Sequence, residues 1–527
     1  MLLKFNSMVM TLSVLAWAMG TDVARADVKL PALFGDNCVL QRGIPVPVWG
    51  TGDAGEAVSV SICGQKVEAT TDANGRWGVK LAALTAGGPF EMTITGKNTI
   101  VLKNVAVGEV WIASGQSNME FPLKSWSPPD SPYGKKALKD VAEANDPMLR
   151  MFAVTKKTAD KPQDNVTSVK GQWDVTTPQT AAGGGFTAVG YFFARELRAK
   201  LNVPVGIIHT SWGGTPAEAW TSREALEADP ELKGLYESWE KRIAAYPELK
   251  KVYDEKTIPE WKTAVEKAKA DGKPEPRKPG GPADPNNPNR AATLYNGMIA
   301  PLLPYAIAGA IWYQGESNAG NGKQYRKLFP AMIQDWRTRW ALGGFPFFFV
   351  QLANFQQRQT VPNEGGWAQL REAQTMTLAL PHTGMAVTID LADADNPGDI
   401  HPHNKRDVGA RLALNALATV YGQKVEYSGP LFKEAKFEGN QAILTFTHAD
   451  GLTAHGDKLE GFVIAGADRK FVWADAKILG ETVVVTSDKV PQPTVVRYAW
   501  AINPLGNLYN KANLPASPFR TDPDSPQ

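Results

Sequence analysis

The sequence predicts an α/β protein with a mostly parallel sheet, flanked on both sides by regions of β structure. Between residues 106 and 423, short apolar runs alternate with amphipathic helical patterns. This alternation is typical of a parallel sheet with helices on both faces. Before and after it, apolar and polar residues alternate at a period of two, as in half-buried strands. A chain of 527 residues is also longer than one hydrophobic core ordinarily accommodates, so several domains are expected.

The central region supplies the clearest elements. One helical face carries apolar residues at spacings of three and four from Tyr325 to Trp340, and similar faces occur at 189–201 and 408–420. Between the helices lie apolar runs of strand length. These predicted strands are Val105 to Ala113, Val205 to His209, Ile307 to Gln314, Phe345 to Leu352 and Met385 to Leu391.

The flanking regions complete the predicted domain division. Val58, Val60 and Ile62 alternate with polar neighbours, and Asn74-Gly75 predicts a hairpin turn. A charged, helix-rich stretch followed by a segment dense in Pro and Gly predicts an insertion. The predicted division is a signal peptide at 1–26, an N-terminal β domain at 27–105, a catalytic domain at 106–423 with an insertion at about 223–294, and a C-terminal β domain and tail at 424–527.

The N-terminus resembles an export signal. Lys4 precedes a short apolar stretch from Met8 to Met19, and Ala24-Arg25-Ala26 offers the small residues that signal peptidase reads. The alternative is a buried first helix. We expect cleavage near Ala26 and an exported protein, periplasmic or secreted.

Composition excludes several other classes. The formal net charge is +2 and no basic stripe is present, so a nucleic-acid partner is not expected. No later apolar run reaches the length of a membrane span. Cys38 and Cys63 could form a disulfide or act as small core residues. So few cysteines and histidines predict no zinc cluster.

Three motifs that can carry chemistry follow predicted strands, where open α/β sheets place their ligands. Gly115–Met119 contains Ser117 in a strand-to-helix turn, although such a serine is more often a helix cap. Gly315–Asn318 offers an asparagine that could donate to an oxyanion, or simple turn chemistry. Asp399–Pro402 contains His401, a candidate general base that could equally be a solvated loop residue. His403 lies close enough in sequence to compete.

Together these motifs resemble the sialate O-acetylesterase-like branch of the SGNH/GDSL hydrolases. The similarity covers nearly the whole chain after the export signal, and its motifs fall in the expected order. The segments that carry it are Gly108–Met119, Ser211–Trp220, Tyr295–Ile299, Ile311–Asn318, Arg371–Gln374 and Asp399–Pro402. The resemblance implies a flavodoxin-like three-layer catalytic domain between β-sandwich-like regions.

The resemblance also implies roles for residues. Ser117 would be the nucleophile, His401 the general base and Asp399 the acidic partner. Asp390, Asp393, Asp395 or a backbone carbonyl remain alternatives for orienting the histidine. The oxyanion hole would use the Ser117 N–H, Gly213 or Gly214, and the Asn318 side chain. The polar candidates for substrate contact are Gln116, Asn118, Gln314, Glu316 and Arg371, the last for an acidic sugar's carboxylate.

The implied activity is removal of O-acetyl groups from carbohydrates through an acyl-enzyme, without metal or organic cofactor. The carbohydrate could be sialic acid or an acetylated plant polysaccharide. Several of the 16 tryptophans lie near the motifs and could stack on sugars, but most are expected in the core. The alternatives are a non-catalytic carbohydrate-binding protein on a hydrolase scaffold, and a lipase- or thioesterase-like enzyme.

Overall fold

The computed structural model describes residues 27–359, 361 and 365–522. The predicted signal peptide at 1–26 lies outside these residues. None of the helices in the described part has the length and apolar character needed to cross a membrane. The same residues contain no cluster of three His, Cys, Asp or Glu side chains that could hold a metal ion.

The N-terminal region is built from β strands in two sheets. β3 pairs with β4 and β6, β6 pairs with β7, and β1 lies parallel to β7, whereas β2 and β5 form a separate pair. The strands are β1 (Val39–Gln41), β2 (Val46–Thr51), β3 (Ala57–Ile62), β4 (Gln65–Thr70), β5 (Arg76–Leu81), β6 (Gly87–Thr95) and β7 (Thr99–Gly115).

The turn at Asn74-Gly75 forms, with Gly75 at a positive φ of 73°, but the predicted hairpin does not. The turn connects β4 to β5, which hydrogen-bond to β3 and β2 respectively rather than to each other. The local turn signal was therefore correct and the strand pairing inferred from it was wrong, because pairing depends on which apolar face each strand buries.

β7 joins the N-terminal region to the central sheet. Its first half pairs with β6, and its second half, from Glu109 to Gly115, pairs with central strands on both sides. The predicted boundary between residues 105 and 106 therefore lies inside one continuous strand.

The central sheet is parallel apart from its edge strand β9, which confirms a mixed α/β architecture with a parallel sheet. Its order is β13-β12-β11-β7-β10-β8-β9. The remaining strands are β8 (Asp146–Ala153), β9 (Asp174–Thr176), β10 (Val205–Ser211), β11 (Gly309–Tyr313), β12 (Phe347–Val350) and β13 (Thr383–Ala386).

This strand order differs from the expected flavodoxin-like order. In that order the second strand of the chain lies directly beside the first. Here β10, the third parallel strand along the chain, lies between β7 and β8 and pairs with both. The periodicity of the sequence identifies strands, but it does not determine which strand lies beside which.

Helices cover both faces of the sheet. Phe347 and Phe349 of β12 contact Phe329, whereas the intervening Phe348 stacks on Trp111, which in turn contacts Phe193. Successive strand residues point to opposite faces, so the helix bearing Phe329 and the helix bearing Phe193 lie on opposite sides. The α-helices within the described residues are α1 (Ser117–Glu120), α2 (Pro132–Glu143), α3 (Pro178–Ala181), α4 (Ala188–Leu201), α5 (Arg223–Ala228), α6 (Lys233–Val252), α7 (Ile258–Ala270), α8 (Gly322–Trp340), α9 (Gly366–Met376) and α10 (Lys405–Thr419).

The stretch predicted as an insertion is helical and then irregular. It contains α5, α6 and α7, with a π turn at Tyr253–Thr257 between the last two, followed by an extended segment rich in Pro and Gly. Further short helical turns lie at Ala217–Trp220, Tyr295–Ile299, Ala300–Leu302, Glu316–Asn321 and Thr377–Ala379.

The C-terminal region consists of antiparallel sheets. One has the order β14-β15-β20-β19, a second has the order β18-β17-β21-β23, and β16 pairs with β22. The strands are β14 (Leu431–Glu438), β15 (Gln441–Thr447), β16 (Thr453–Ala454), β17 (Phe462–Ala465), β18 (Val472–Trp473), β19 (Asp475–Leu479), β20 (Thr482–Thr486), β21 (Val495–Tyr498), β22 (Leu508–Tyr509) and β23 (Phe519–Arg520).

The two cysteines do not form a disulfide. Cys38 is buried just before β1, and Cys63 is exposed in the turn after β3. Burial raises the pKa of the Cys38 thiol to about 12, which keeps that thiol protonated and unreactive. Of the two expected roles, Cys38 therefore has that of a small core residue.

Candidate active site

The site lies at the ends of two neighbouring strands, β7 and β11, after which the chain continues toward opposite edges of the sheet. The chain leaves β7 toward β8 on one side of the sheet, and it leaves β11 toward β12 on the other. Open α/β sheets bind ligands in the crevice at such a point, at the carboxyl ends of the strands. Ser117 follows β7, and Asn318 follows β11. Gly213 follows β10, the neighbour of β7 on its other side.

Two glycines let the chain segments come together here. Gly115 has a φ of 134°, and a Cβ at this position would lie 2.2 Å from the carbonyl oxygen of Tyr313. A Cβ on Gly213 would lie 3.2 Å from the Cβ of Ser117. Gly115 is therefore needed for the close approach of β7 and β11 behind the serine, and Gly213 for the close approach of the β10 loop.

Ser117, His401 and Asp399 form a connected group. The distance from His401 Nε2 to Ser117 Oγ is 2.9 Å, and that from His401 Nδ1 to Asp399 Oδ1 is 3.3 Å. The same carboxylate oxygen accepts the backbone N–H of His401 at 2.8 Å. The Asp399 N–H donates to Asn396 O at 3.0 Å, which closes the tight turn that brings the carboxylate back to the ring.

The other acidic candidates have different partners. Asp390 forms a two-pronged ion pair with Arg411, with both contacts at 2.7 Å. Asp393 accepts from His403 Nδ1 at 2.6 Å, and Asp395 accepts from the Tyr133 hydroxyl at 2.5 Å. Among the predicted candidates, Asp399 is therefore the carboxylate that the structure places beside His401.

The surroundings of His401 favour its neutral form. Partial burial, and then the nearby Lys405, lower its pKa below the ordinary value of 6.5, while Asp399 opposes the shift. A histidine with a lowered pKa is neutral at neutral pH and can accept a proton from Ser117.

The Asn318 side chain is oriented by its neighbours. Its Oδ1 accepts the Ala217 N–H at 2.9 Å and the Gln314 Nε2 group at 2.7 Å. Its Nδ2 group donates one N–H to Glu218 at 3.0 Å. An amide nitrogen carries two hydrogens, so the second N–H is available to an oxyanion.

The predicted oxyanion donor Gly213 already has an acceptor in this structure. Its N–H donates to Oε2 of Glu120 at 2.7 Å, and Lys156 contacts the other oxygen of the same carboxylate at 2.7 Å. An oxyanion that uses this N–H must share it with the carboxylate or displace the carboxylate. Gly214, the alternative donor, is exposed and has a φ of 75°.

The prediction that Arg371 binds a substrate carboxylate is wrong for this structure. The side chain is fully buried, and its guanidinium donates to four backbone carbonyl oxygens. It thus connects the end of β12 to the C-terminal region. The four acceptors are the carbonyls of Leu352, Ala353, Ala501 and Ile502.

The other predicted substrate contacts hold the site together. Gln314 is fully buried and supports Asn318 through its Nε2 group. Asn118 is buried and donates to Glu316 at 2.5 Å and to the carbonyl of Ile400 at 3.0 Å. Gln116 is also buried, and its side-chain oxygen accepts the Ser317 N–H at 3.3 Å. For all four residues the observed partners are protein groups, and their contact with substrate stays a prediction.

A buried lysine lies behind His401. Lys405 donates to Asn118 Oδ1 at 2.5 Å, and its ammonium lies over the rings of Phe121 and Tyr313. Burial lowers the pKa of Lys405 to about 7, while Glu316 opposes the shift. The group Lys405, Asn118 and Glu316 therefore links the loops after β7 and β11 to the loop that carries His401.

Sequence reasoning assigned no role to Lys405, Glu120 or Glu218. Glu218 lies within the segment Ser211–Trp220, three positions after Thr215. Glu120 directly follows the segment Gly108–Met119, three positions after Ser117. Their closeness to the family motifs was therefore a signal of a role in the site. Lys405 offered none, because its burial beside residues nearly 290 positions away arises only from tertiary structure.

Comparison with known proteins is consistent with this geometry. A family model described as carbohydrate esterase, sialic acid-specific acetylesterase, matches residues 286–418. The chain is 32% identical to mouse sialate O-acetylesterase and 29% identical to the human protein, over 93% of this chain and 93% and 92% of the relatives. The chain belongs to the sialate O-acetylesterase family. It is a carboxylic ester hydrolase, so the non-catalytic alternative is wrong.

A solved structure is also similar to this chain. A carbohydrate acetylesterase from Xanthomonas citri superposes with a TM-score of 0.78 at 40% identity, covering 94% of this chain and all of that one. The segment matched by the family model contains Asn318, Asp399 and His401. Ser117 lies outside that segment, but the similarity to the mouse relative extends over 93% of this chain.

Proposed function

We propose that this protein is a serine esterase that removes O-acetyl groups from carbohydrates, with Ser117, His401 and Asp399 as its catalytic residues. The observation that carries the proposal is the 2.9 Å contact between Ser117 Oγ and His401 Nε2 at the point where β7 and β11 diverge. The family relationship supports the ester chemistry. The names of its relatives support an acetylated sialic acid or another acetylated carbohydrate as the substrate.

The reaction would proceed in two acyl-transfer steps. His401 Nε2 takes the proton of Ser117 as Oγ attacks the acetyl carbonyl, and then gives that proton to the departing sugar oxygen. Water, activated by the same imidazole, hydrolyses the acetyl-serine. Asp399 would hold the ring with Nδ1 protonated and stabilise the imidazolium that forms.

The developing oxyanion would be stabilised by N–H groups from three chain segments. These are the backbone of Ser117, the backbone of the Gly213-Gly214 turn and the second N–H of Asn318. Such donors matter most when charge develops on the carbonyl oxygen, so they would act mainly on the transition state. No step in this scheme requires a metal or an organic cofactor.

The finer architecture belongs to the same proposal. We infer an SGNH-type catalytic domain at 106–423, with its insertion at about 223–294, between β-sandwich-like regions at 27–105 and 424–527. We also infer that residues 1–26 are an export signal cleaved near Ala26, which would place the enzyme in the periplasm or outside the cell. Edman sequencing of protein from culture supernatant and periplasm tests the export signal, and a chain that retains Met1 would contradict it.

Acetate release from a defined substrate panel tests the substrate class. The panel comprises acetylated sialosides, acetylated xylan, xyloglucan and pectin fragments, with Ser117→Ala as the matched control. We expect release from at least one carbohydrate and none from the control. Faster turnover of octanoate than of acetate esters, with no carbohydrate deacetylated, would instead favour a lipase-like enzyme.

A further inference from the structure

An exposed tryptophan lies directly against the catalytic histidine. The ring of Trp126 is 5.1 Å from that of His401, centroid to centroid, with the two planes nearly perpendicular at 86°. The ring of Trp126 also contacts that of Phe121, with the centroids 4.7 Å apart. The residue nevertheless remains 49% exposed, whereas most tryptophans near the motifs are buried. A large apolar ring that is half-exposed beside a catalytic group is available for contact with a ligand.

The loop that carries this ring is fastened at several points. We define the Trp126 loop as residues 121–131, between α1 and α2. Ser127 Oγ contacts His403 Nε2 at 2.6 Å, and His403 Nδ1 contacts Asp393 at 2.6 Å. Tyr133, just after the loop, stacks on the His403 ring at 3.9 Å. These contacts tie the loop to the segment that carries His401, so the tryptophan is held in place before any ligand binds.

The chemistry of the reaction determines what lies beside this ring. His401 must protonate the oxygen of the leaving alcohol, so that oxygen lies within hydrogen-bond distance of Nε2. The first carbon of the alcohol is bonded to that oxygen, so the carbon skeleton of the sugar begins close to His401 Nε2. With the Trp126 ring centroid only 5.1 Å from the imidazole, a six-membered sugar ring on that side is within contact distance.

We propose that Trp126 is the stacking surface for the sugar ring that bears the acetyl group, and that the Ser127–His403–Asp393 group positions it. The proposal rests on the carbohydrate esterase function proposed above and assigns a substrate contact within that site. A pyranose ring presents a face of C–H groups, which packs on an indole ring while the hydroxyl groups remain solvated. Trp126 would thus select a cyclic alcohol over a small acyclic one.

The competing explanation is that Trp126 only sets the orientation of the His401 ring. The two roles predict different kinetics. A tryptophan that orients the base affects every ester equally, because every reaction needs the same proton transfer. A tryptophan that binds the sugar affects only esters whose alcohol carries a ring, and it does so mainly through KM.

The test compares two substrates in the purified full-length enzyme. An acetylated xylo-oligosaccharide carries sugar rings, and ethyl acetate has a leaving group too small to stack. We expect Trp126→Ala to lower the ratio of kcat/KM for the oligosaccharide to that for ethyl acetate by about tenfold or more, mostly through KM. Trp126→Phe should restore part of the ratio. Trp473→Ala, which removes an exposed tryptophan of the C-terminal region, should leave the ratio as in wild type.

Ser127→Ala tests the positioning group separately. It should shift the same ratio in the same direction but less than Trp126→Ala, because the loop loses one fastening and keeps the ring. Equal losses on both substrates, or an unchanged ratio, would overturn the stacking role. If the wild-type enzyme cleaves ethyl acetate but no acetylated carbohydrate, the proposed function itself fails, and the stacking role fails with it. That outcome can be told apart from failure of the stacking role alone, because it is already seen in the wild-type enzyme.

Discussion

Two Ser–His–Asp groups lie side by side in this protein, and the better-formed one by distance is not the one at the strand ends. Ser127, His403 and Asp393 are joined by two contacts of 2.6 Å. In the other group the corresponding distances are 2.9 Å, from His401 to Ser117, and 3.3 Å, from His401 to Asp399. The histidines are two residues apart on one segment. The shorter distances therefore do not indicate which serine is the nucleophile.

Their surroundings do separate them. Ser117 follows the central strand, with the Gly213 turn and the Asn318 amide beside it, so an oxyanion formed there has donors nearby. Ser127 lies in a connecting loop, and its own N–H is used by Ser125 Oγ. The His403 side chain is 13% exposed and covered by Tyr133, compared with 27% for His401. Catalysis requires room for a substrate and stabilisation of charge as well as a polarised hydroxyl.

Replacing each serine in turn should give the largest difference between the two groups. Ser117→Ala should lower kcat on p-nitrophenyl acetate by roughly four orders of magnitude or more, because no acyl-enzyme can form. Ser127→Ala should keep kcat within about tenfold of wild type, since it affects only the loop. Initial rates, with circular dichroism to verify folding, measure both. A well-folded Ser117→Ala that stays active would show that the nucleophile lies elsewhere.

The two aspartates extend the comparison to the partner of each histidine. Asp399→Asn should lower kcat by about a thousandfold, because the amide favours the tautomer of His401 that cannot accept the serine proton. Asp393→Asn should have a much smaller effect on kcat. Asp390→Asn breaks the ion pair with Arg411 and provides a control for general disturbance of this loop. If all three variants stay within a few-fold of wild type, the enzyme works as a Ser–His dyad.

Substitution of Asn318 tests the contribution of the oxyanion donor proposed to act beside Ser117. Asn318→Ala should lower kcat by about a hundredfold with little change in KM, because the lost N–H acts on the transition state. Asn318→Asp keeps the shape and the acceptor oxygen but replaces the donor with a negative charge. It should therefore be at least as impaired. An unchanged kcat in Asn318→Ala would remove this residue from the oxyanion hole.

The smallest expected effect is a shift in pH dependence. The base must be neutral, so kcat/KM is lost as the pH falls through the pKa of His401. Burial and the proximity of Lys405 lower that pKa, so the acid limb should lie below pH 6.5. Asp399→Asn removes a group that raises the pKa, so the residual activity should persist to lower pH still. An acid limb at or above pH 6.5 in the wild-type pH–rate profile would contradict the assignment.

Features that depend on neighbours along the chain could be predicted from the sequence. Apolar runs and helical periodicity identified α8 and the parallel strands of the central sheet except β8, which the sequence analysis missed. Gly and Asn residues after the strands identified the places where chemistry could lie. The tight turn before Asp399 could also be expected, because the three consecutive residues Asn396-Pro397-Gly398 are turn-prone. These are local preferences, which short segments express independently of the rest of the fold.

Tertiary structure alone decided which of these residues meet. Ser117 and His401 are 284 positions apart, and the choice between His401 and His403 depends on which side of one short segment faces the end of β7. Burial of Arg371 against four carbonyls, and of Lys405 behind the histidine, likewise follows from packing between distant segments. A side chain such as arginine can bind a carboxylate or satisfy buried carbonyls equally well. Its sequence neighbours do not distinguish these roles, because the groups that compete for its hydrogens come together only on folding.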